Sequence, residues 1–171
     1  MPFTSIRSKL TAWYVFCLGV ILVLFSILLF FFLSKRLYES VDNSLTVSAS
    51  IVARSTQINN SRIPFPGLDL FFDQFMGFGR NKSYKIYDGS GNIGSLSKNF
   101  DGSQFPLTQR AYSAALKGGT SYETFLLSDD HPIRVISMPV LKGAKLANLV
   151  QVGTSLKVVV DTLKNFQIIL L

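Results

Sequence analysis

The chain has 171 residues, 48% of them hydrophobic, and its 17 Lys and Arg against 10 Asp and Glu give a formal net charge of +7. This length favours a single domain. The basic residues form neither a run nor a pattern interleaved with aromatic residues, which argues against a nucleic-acid partner and favours anionic lipid head groups or a small anionic ligand.

The first predicted element is a transmembrane helix over residues 10–33, preceded by a tail over residues 1–9. The run from Leu10 to Leu33 is 24 residues long and contains no charged side chain. At about 1.5 Å per residue, such a helix is roughly 36 Å long and can cross a hydrocarbon core of about 30 Å. A cleavable signal peptide would have an apolar region of only about 7–15 residues. We therefore expect an uncleaved anchor whose partner is membrane lipid.

The charged residues that flank this helix do not set its orientation. Arg7 and Lys9 precede the apolar run, and Lys35 and Arg36 follow it, so the counts of basic residues balance. Because the tail is too short to fold, we expect it to be cytoplasmic and the domain over residues 34–164 to be exported.

The helical period continues beyond the apolar run. Leu37, Val41, Leu45 and Val52 recur at spacings of four and seven residues. Such a narrow apolar stripe serves either a two-stranded dimer contact or a helix that lies on a sheet. The sequence leaves both alternatives open. Residues 59–67 then predict a loop, and the aromatic residues over 71–78 are interpreted as a plug of the core or as an exposed flap.

From Ser83 onward the sequence predicts an antiparallel sheet. Strands over residues 83–87 and 93–96 flank a hairpin turn over residues 88–92. A helix is predicted over residues 106–117, with Pro106 in its first turn and Gly118 after its end. Three further strands are predicted over residues 122–127, 133–140 and 146–154.

The predicted fold class is α+β. A transmembrane helix continues into a long helix, which is followed by a five-stranded antiparallel sheet with flanking helices. Ser155 is expected to cap a closing helix. The apolar residues 165–171 are expected to begin a second, truncated transmembrane helix.

No catalytic, cofactor or metal site is predicted. Residues 89–94 match the dinucleotide motif G-x-G-x-x-G, but no helix is predicted at the third glycine, so the match is assigned to the hairpin turn. His131 is the single histidine; it lies in a predicted turn, without the partners of a catalytic triad or a metal site. Cys17 lies within the apolar run and leaves no exported cysteine.

The candidate ligand-binding residues are cations and tyrosines of the predicted sheet domain. They are Lys85 and Arg134 on strands, Arg110 on the predicted helix, and Tyr87 and Tyr122. Arginine and lysine in a concave site favour carboxylates or phosphates. A single cation on a strand, however, is more often a solvated surface residue.

Several segments resemble bacterial transmembrane sensor histidine kinases. They are Ile6–Tyr14 with the apolar run, Arg36–Leu45, Ile86–Ile93, Ile136–Val140 and Val150–Leu156. The resemblance implies an extracytoplasmic PAS-like sensor domain of the PDC or Cache type. It also implies a homodimer in the inner (plasma) membrane, with the main domain in the periplasm.

The function implied by this resemblance is stimulus sensing and membrane anchoring, with a conformational signal passed to a cytoplasmic, ATP-dependent histidine kinase. The family's phospho-acceptor helix, ATP-binding boxes and HAMP linker do not occur in this sequence, so no catalytic residue is carried over. The alternatives are a membrane-anchored accessory or structural protein without kinase output, and the sensor module of a chemoreceptor or cyclase.

Overall fold

The computed structural model describes residues 6–58, 82–97, 105–126 and 132–170. The predicted loop over residues 59–67, the aromatic segment over 71–78 and the turn that contains His131 lie outside the described residues. The chain divides into two compact units, Met1–Tyr38 with Val159–Leu171 and Glu39–Val158. Helix α1, Ile6–Ile58, contributes residues to both units.

In the first unit, the apolar run of α1 is exposed. Trp13, Leu28 and Phe31 are 66%, 66% and 68% exposed, respectively. By length and composition, α1 is the one helix among the described residues that is able to cross a membrane. The predicted continuation of the helix beyond Leu33 is confirmed.

The second unit contains a five-stranded sheet. Its strands are β1 Lys82–Asp88, β2 Ile93–Leu96, β3 Ser121–Leu126, β4 Pro132–Lys142 and β5 Lys145–Ser155. Their spatial order is β2-β1-β5-β4-β3, and each neighbouring pair is antiparallel. The other described helices are α2 Gln109–Leu116 and α3 Lys157–Leu170. The predicted α+β class, with its five-stranded antiparallel sheet and flanking helices, is confirmed.

Asp88 organises the turn between β1 and β2. Its Oδ1 accepts hydrogen bonds from the backbone N–H groups of Asn92 at 2.8 Å and Ser90 at 2.9 Å. These bonds, with that from Asn92 foremost, lower the pKa of the Asp88 carboxyl. Gly91 has a φ of 85°, a conformation that favours glycine. The match to G-x-G-x-x-G is therefore a hairpin turn, as predicted.

Helix α2 begins later than predicted. Thr108 is the N-cap, because its hydroxyl accepts a hydrogen bond from the backbone N–H of Ala111 at 3.0 Å. The same hydroxyl donates to the carboxylate of Glu123 on β3 at 2.8 Å. Pro106 therefore precedes the helix and does not lie in its first turn. The predicted end before Gly118, which has a φ of 77°, is confirmed.

One face of the sheet is covered by α1. Leu45, Ala49 and Val52 of α1 are fully buried, and burial stabilises the fold by about 1.5–3 kcal/mol for each of the two larger side chains. Their partners on β1, β4 and β5 are Tyr84, Ile86, Ile136, Val140, Val150 and Val152. Of the two alternatives left open by the sequence, the stripe over residues 45–52 is a helix that lies on a sheet.

The opposite face of the sheet carries two smaller apolar clusters. The first consists of Tyr87, Ala115 and Leu149, and the second consists of Phe105, Ile133 and Val135. Phe105 is only 1% exposed. Its ring lies against Gly153, where an added Cβ would come within 2.7 Å of Phe105 Cε1. The absence of a side chain at Gly153 thus lets the ring reach the sheet.

Helix α3 begins two residues after the last residue of β5. The backbone N–H of Lys157 donates to Ser155 Oγ at 3.2 Å, so Ser155 caps the closing helix as predicted. Leu156, between strand and helix, is 1% exposed. The assignment of residues 165–171 to a second membrane helix stays a prediction.

The variant Gly153→Ala should destabilise the fold. Its new methyl group would collide with the buried Phe105 ring, so we expect the free energy of unfolding to fall by about 1–3 kcal/mol. Gly94→Ala is the control, because its Cβ would meet only the Ile86 carbonyl oxygen at 3.5 Å, an ordinary contact. Denaturant unfolding measures both variants. Wild-type stability in Gly153→Ala would contradict this packing.

Candidate functional site

The candidate ligand-binding residues lie on opposite faces of the sheet. Tyr122 and Arg134 lie on the face that carries α1, and Lys85 and Tyr87 lie on the other. Arg110 is exposed on α2. The structure thus brings Tyr122 and Arg134 together but does not gather the three cations into one site.

On the α1 face, Arg134 binds α1 through an ion pair with Asp42. Arg134 Nε lies 2.8 Å from Asp42 Oδ1, and Nη2 lies 2.8 Å from Oδ2, which is the bidentate geometry that guanidinium and carboxylate groups favour. Arg134 also donates to Thr124 Oγ1 at 3.0 Å and lies 5.6 Å from the centre of the Tyr122 ring. The Tyr122 hydroxyl lies 2.8 Å from Thr46 Oγ1. We call these five residues the helix clamp.

A second polar contact joins α1 to β1. Lys82 Nζ donates to Ser44 Oγ at 2.8 Å and to Ser48 Oγ at 3.3 Å. Desolvation by burial lowers the pKa of the Lys82 ammonium group. Hydrogen bonds are directional, whereas apolar packing tolerates sliding. The helix clamp and Lys82 therefore fix the position of α1 along the sheet.

The other face of the sheet has a polar centre. Lys85, Gln151, Ser137 and Ser121 lie directly opposite one another on four adjacent strands, and we call them the polar row. Lys85, Gln151 and Ser137 are 4%, 0% and 2% exposed, respectively. In the register of the sheet, the polar row separates the two apolar clusters of this face.

Hydrogen bonding within the polar row is incomplete. Gln151 Nε2 donates to Ser137 Oγ at 3.0 Å, and Lys85 Nζ donates to the Phe105 carbonyl oxygen at 2.9 Å. Within the described part of the chain, Gln151 Oε1 and Ser121 Oγ are buried without a hydrogen-bond partner. A buried, unsatisfied polar atom costs about 1–3 kcal/mol.

Burial changes the titration of two side chains on this face. Desolvation lowers the pKa of the Lys85 ammonium group. Desolvation also raises the pKa of the Tyr87 hydroxyl to about 12, so Tyr87 is a neutral phenol at physiological pH. Lys85 is thus the group in the polar row that can carry charge.

Sequence reasoning identified Lys85 but missed the other three residues of the polar row. The sequence does contain a signal for Gln151. It lies two residues from Leu149 and from Gly153 along β5, and residues two apart on a strand share a face. No comparable local signal joins Ser137 and Ser121 to it. Whether these two serines lie in the polar row depends on strand register, that is, on how β3, β4 and β5 are aligned with one another.

A groove of about 720 Å³ lies in the first unit. Its lining comes from the apolar run of α1, including Phe30 and Phe31, with Gln167 from α3. The candidate ligand-binding residues do not line it. Its apolar walls are typical of a surface that meets lipid or another membrane helix.

Comparisons with known proteins identify no family. No family model matches the chain, and no curated protein matches it. Among solved structures, the chain is similar to the sensor domain of the V. cholerae histidine kinase DctB, with 18% identity, a TM-score of 0.38, and coverage of 67% of this chain and 44% of that one. It is also similar to a Mycobacterium tuberculosis transcriptional regulator, with 13% identity, a TM-score of 0.32, and coverage of 45% and 30%. The chain thus spans less than half of either structure, and similarity at this level assigns no function.

Asp42 and Arg134 should be energetically coupled. Their side chains are 28% and 22% exposed, so a double-mutant cycle with Asp42→Ala and Arg134→Ala should give a coupling free energy of about 1 kcal/mol that decreases at high salt. The exposed Lys142→Ala is the control, and its effect should add to that of Asp42→Ala. Chemical unfolding at two salt concentrations provides the values. Additive effects of Asp42→Ala and Arg134→Ala would show that the pair does not hold α1.

Proposed function

We propose that the chain is the stimulus-sensing and membrane-anchoring module of a two-component sensor histidine kinase. The proposal assigns residues 1–9 to the cytoplasm, 10–33 to the first transmembrane helix, 34–164 to a periplasmic sensor domain and 165–171 to the start of a second transmembrane helix. The module would be held in the inner (plasma) membrane by lipid contacts and would act as a homodimer.

The observation that carries this proposal is that helix α1 contains both an apolar run and a segment that packs on the sheet. Its residues 10–33 form an exposed apolar run of membrane-spanning length. Leu45, Ala49 and Val52 of the same helix are buried against the sheet. A receptor that reports across a bilayer needs an element that belongs both to its sensing fold and to the membrane.

The helix clamp supplies a point at which a change in the sheet can act on α1. Asp42 and Thr46 lie one turn apart on α1 and contact β3 and β4 through Tyr122 and Arg134. A stimulus that favours one arrangement of these strands would shift α1 with them. A differential affinity of about 5.5 kcal/mol is enough to move such a two-state equilibrium from 1:99 to 99:1.

The proposal includes a small anionic ligand, and the polar row is its candidate site. Arg134 is engaged by Asp42, and Arg110 is exposed on α2. Lys85, in contrast, is buried, and its Nζ donates to the Phe105 carbonyl oxygen and lies 5.1 Å from the centre of the Phe105 ring. The segments that resemble sensor kinases favour kinase output over an accessory protein or a chemoreceptor or cyclase sensor.

Single cysteines test the anchoring and the orientation. In a Cys17→Ser background, Ser90→Cys places a thiol on the exposed β1–β2 turn and Lys9→Cys places one before the apolar run. In spheroplasts, a membrane-impermeant maleimide should label the Ser90→Cys variant at once and the Lys9→Cys variant only after lysis. Release of the chain by alkaline carbonate, or labelling of the Ser90→Cys variant only after lysis, would contradict the proposal.

Output is tested by joining the full chain to a HAMP linker and a histidine-kinase core. Asp42→Ala breaks the helix clamp and should change the rate of autophosphorylation several-fold, whereas the exposed Gly94→Ala should not. A membrane-inserted fusion whose rate is the same with and without Asp42→Ala would favour the accessory-protein alternative.

A further inference from the structure

Lysines and leucines form an exposed surface at the end of the sheet where β4 turns into β5. Lys142 and Lys145 flank that turn and lie directly opposite each other. Leu141 precedes Lys142 on β4, and Leu116 and Lys117 end helix α2. All five residues are exposed. We call them the hairpin tip.

Close contacts join the pieces of this end of the sheet. A Cβ added to Gly118, just beyond α2, would lie 3.3 Å from Leu141 Cδ1, so the end of α2 meets the end of β4. Gly89, in the β1–β2 turn, lies against the Leu146 carbonyl oxygen of β5. The Tyr112 hydroxyl of α2 donates to the Gly89 carbonyl oxygen at 2.9 Å. The hairpin tip is therefore one continuous surface on a packed frame.

The charge of the hairpin tip is not neutralised by the fold. Within the described part of the chain, the ammonium groups of Lys117, Lys142 and Lys145 form no ion pair and no hydrogen bond. Asp88, at the same end of the sheet, is engaged by the backbone N–H groups of its own turn. Like charges directly opposite each other on neighbouring strands are destabilising. The pairing of Lys142 with Lys145 thus adds positive charge at a cost in stability.

Two leucines lie among these charges. Leu116 is 54% exposed and Leu141 is 39% exposed. Protein interfaces combine an apolar centre with a polar rim, and opposite charges across them select the partner. A chain of phosphates would meet the lysines but leave the leucines in water. We infer that the hairpin tip docks a soluble protein through a segment in which carboxylates flank apolar side chains.

The position of the hairpin tip favours a soluble partner over a lipid surface. The chain enters the second unit at Glu39 and leaves it at Val158. Val158 is three residues beyond the end of β5, and Glu39 is one helical turn from Asp42, whose partner Arg134 lies opposite Thr154. The 11 residues of β5 place the hairpin tip about 33 Å from that end. In the proposed function, the connections to the membrane belong to that end and not to the hairpin tip.

Peptide binding to the full chain in phosphatidylcholine nanodiscs tests the inference. The probe is a fluorescein-labelled octapeptide, Ser-Glu-Leu-Glu-Ser-Glu-Leu-Glu, followed by fluorescence anisotropy against empty nanodiscs. Its affinity should fall about tenfold when every Glu is replaced by Gln, and several-fold when every Leu is replaced by Ser. It should also fall as the salt concentration rises. Equal binding of the three peptides would overturn the inference.

A lipid arm separates the two sources of negative charge. Vesicles of phosphatidylglycerol are floated with the same nanodiscs, and co-flotation should not exceed that with phosphatidylcholine vesicles. Flotation with phosphatidylglycerol, without binding of the Glu–Leu peptide, would show that the hairpin tip meets lipid and would contradict the inference. A nanodisc exposes both of its faces, so neither readout depends on the orientation or the kinase output of the proposed function.

Variants locate the binding. Lys145→Glu should weaken the Glu–Leu peptide about tenfold, and Leu116→Ser should weaken it several-fold. Lys157→Glu, an exposed residue near the other end of β5 with the same change in charge, should change the affinity less than about twofold. Lys145→Glu also places a carboxylate opposite Lys142, so its Tm should stay the same or rise. Wild-type affinity in Lys145→Glu, or an equal loss in Lys157→Glu, would overturn the inference.

Discussion

The burial of α1 against one face of the sheet is the constraint on which the rest of the structure depends. Leu45, Ala49 and Val52 are completely buried there, and the helix clamp adds directional bonds that fix the position of the helix. Since α1 occupies this face, the candidate site of the proposed ligand lies on the other. That other face is where apolar packing is interrupted by the polar row.

Strand β5 contributes buried residues to both faces of the sheet. It lies at the centre of the sheet, and its successive residues point alternately to each side. Val150 and Val152 pack against α1, and Gln151 between them belongs to the polar row. A small displacement of β5 toward a ligand would therefore disturb its packing against α1, because close-packed side chains transmit strain. The proposed signal thus has a contiguous physical route within the second unit.

Local pattern predicted most of the fold and little of the site. Features set by residues close together in the chain could be predicted from the sequence. These are the helical period of α1, the Asp88 turn and the alternation of residues along the strands. The start of α2 was misplaced because the side chain of Thr108, and not the preceding proline, sets it. The polar row depends on register, and a bulge after Val140 shifts the β4–β5 pairing by one residue. Counted from the Lys142–Lys145 turn without that bulge, Ser137 would face Val150 and not Gln151.

The partner of the apolar stripe was undecidable because a stripe does not specify what covers it.

Native-state hydrogen exchange on the full chain tests most directly whether the fold depends on the burial of α1 against the sheet. If α1 is part of the sheet's core, the backbone amides of Leu45, Ala49 and Val52 should open only when β4 and β5 unfold, with the same opening free energy and the same dependence on denaturant. Exchange of these three amides at a clearly lower opening free energy, while the amides of β4 and β5 stay protected, would show that α1 detaches from an intact sheet. That result would contradict the account.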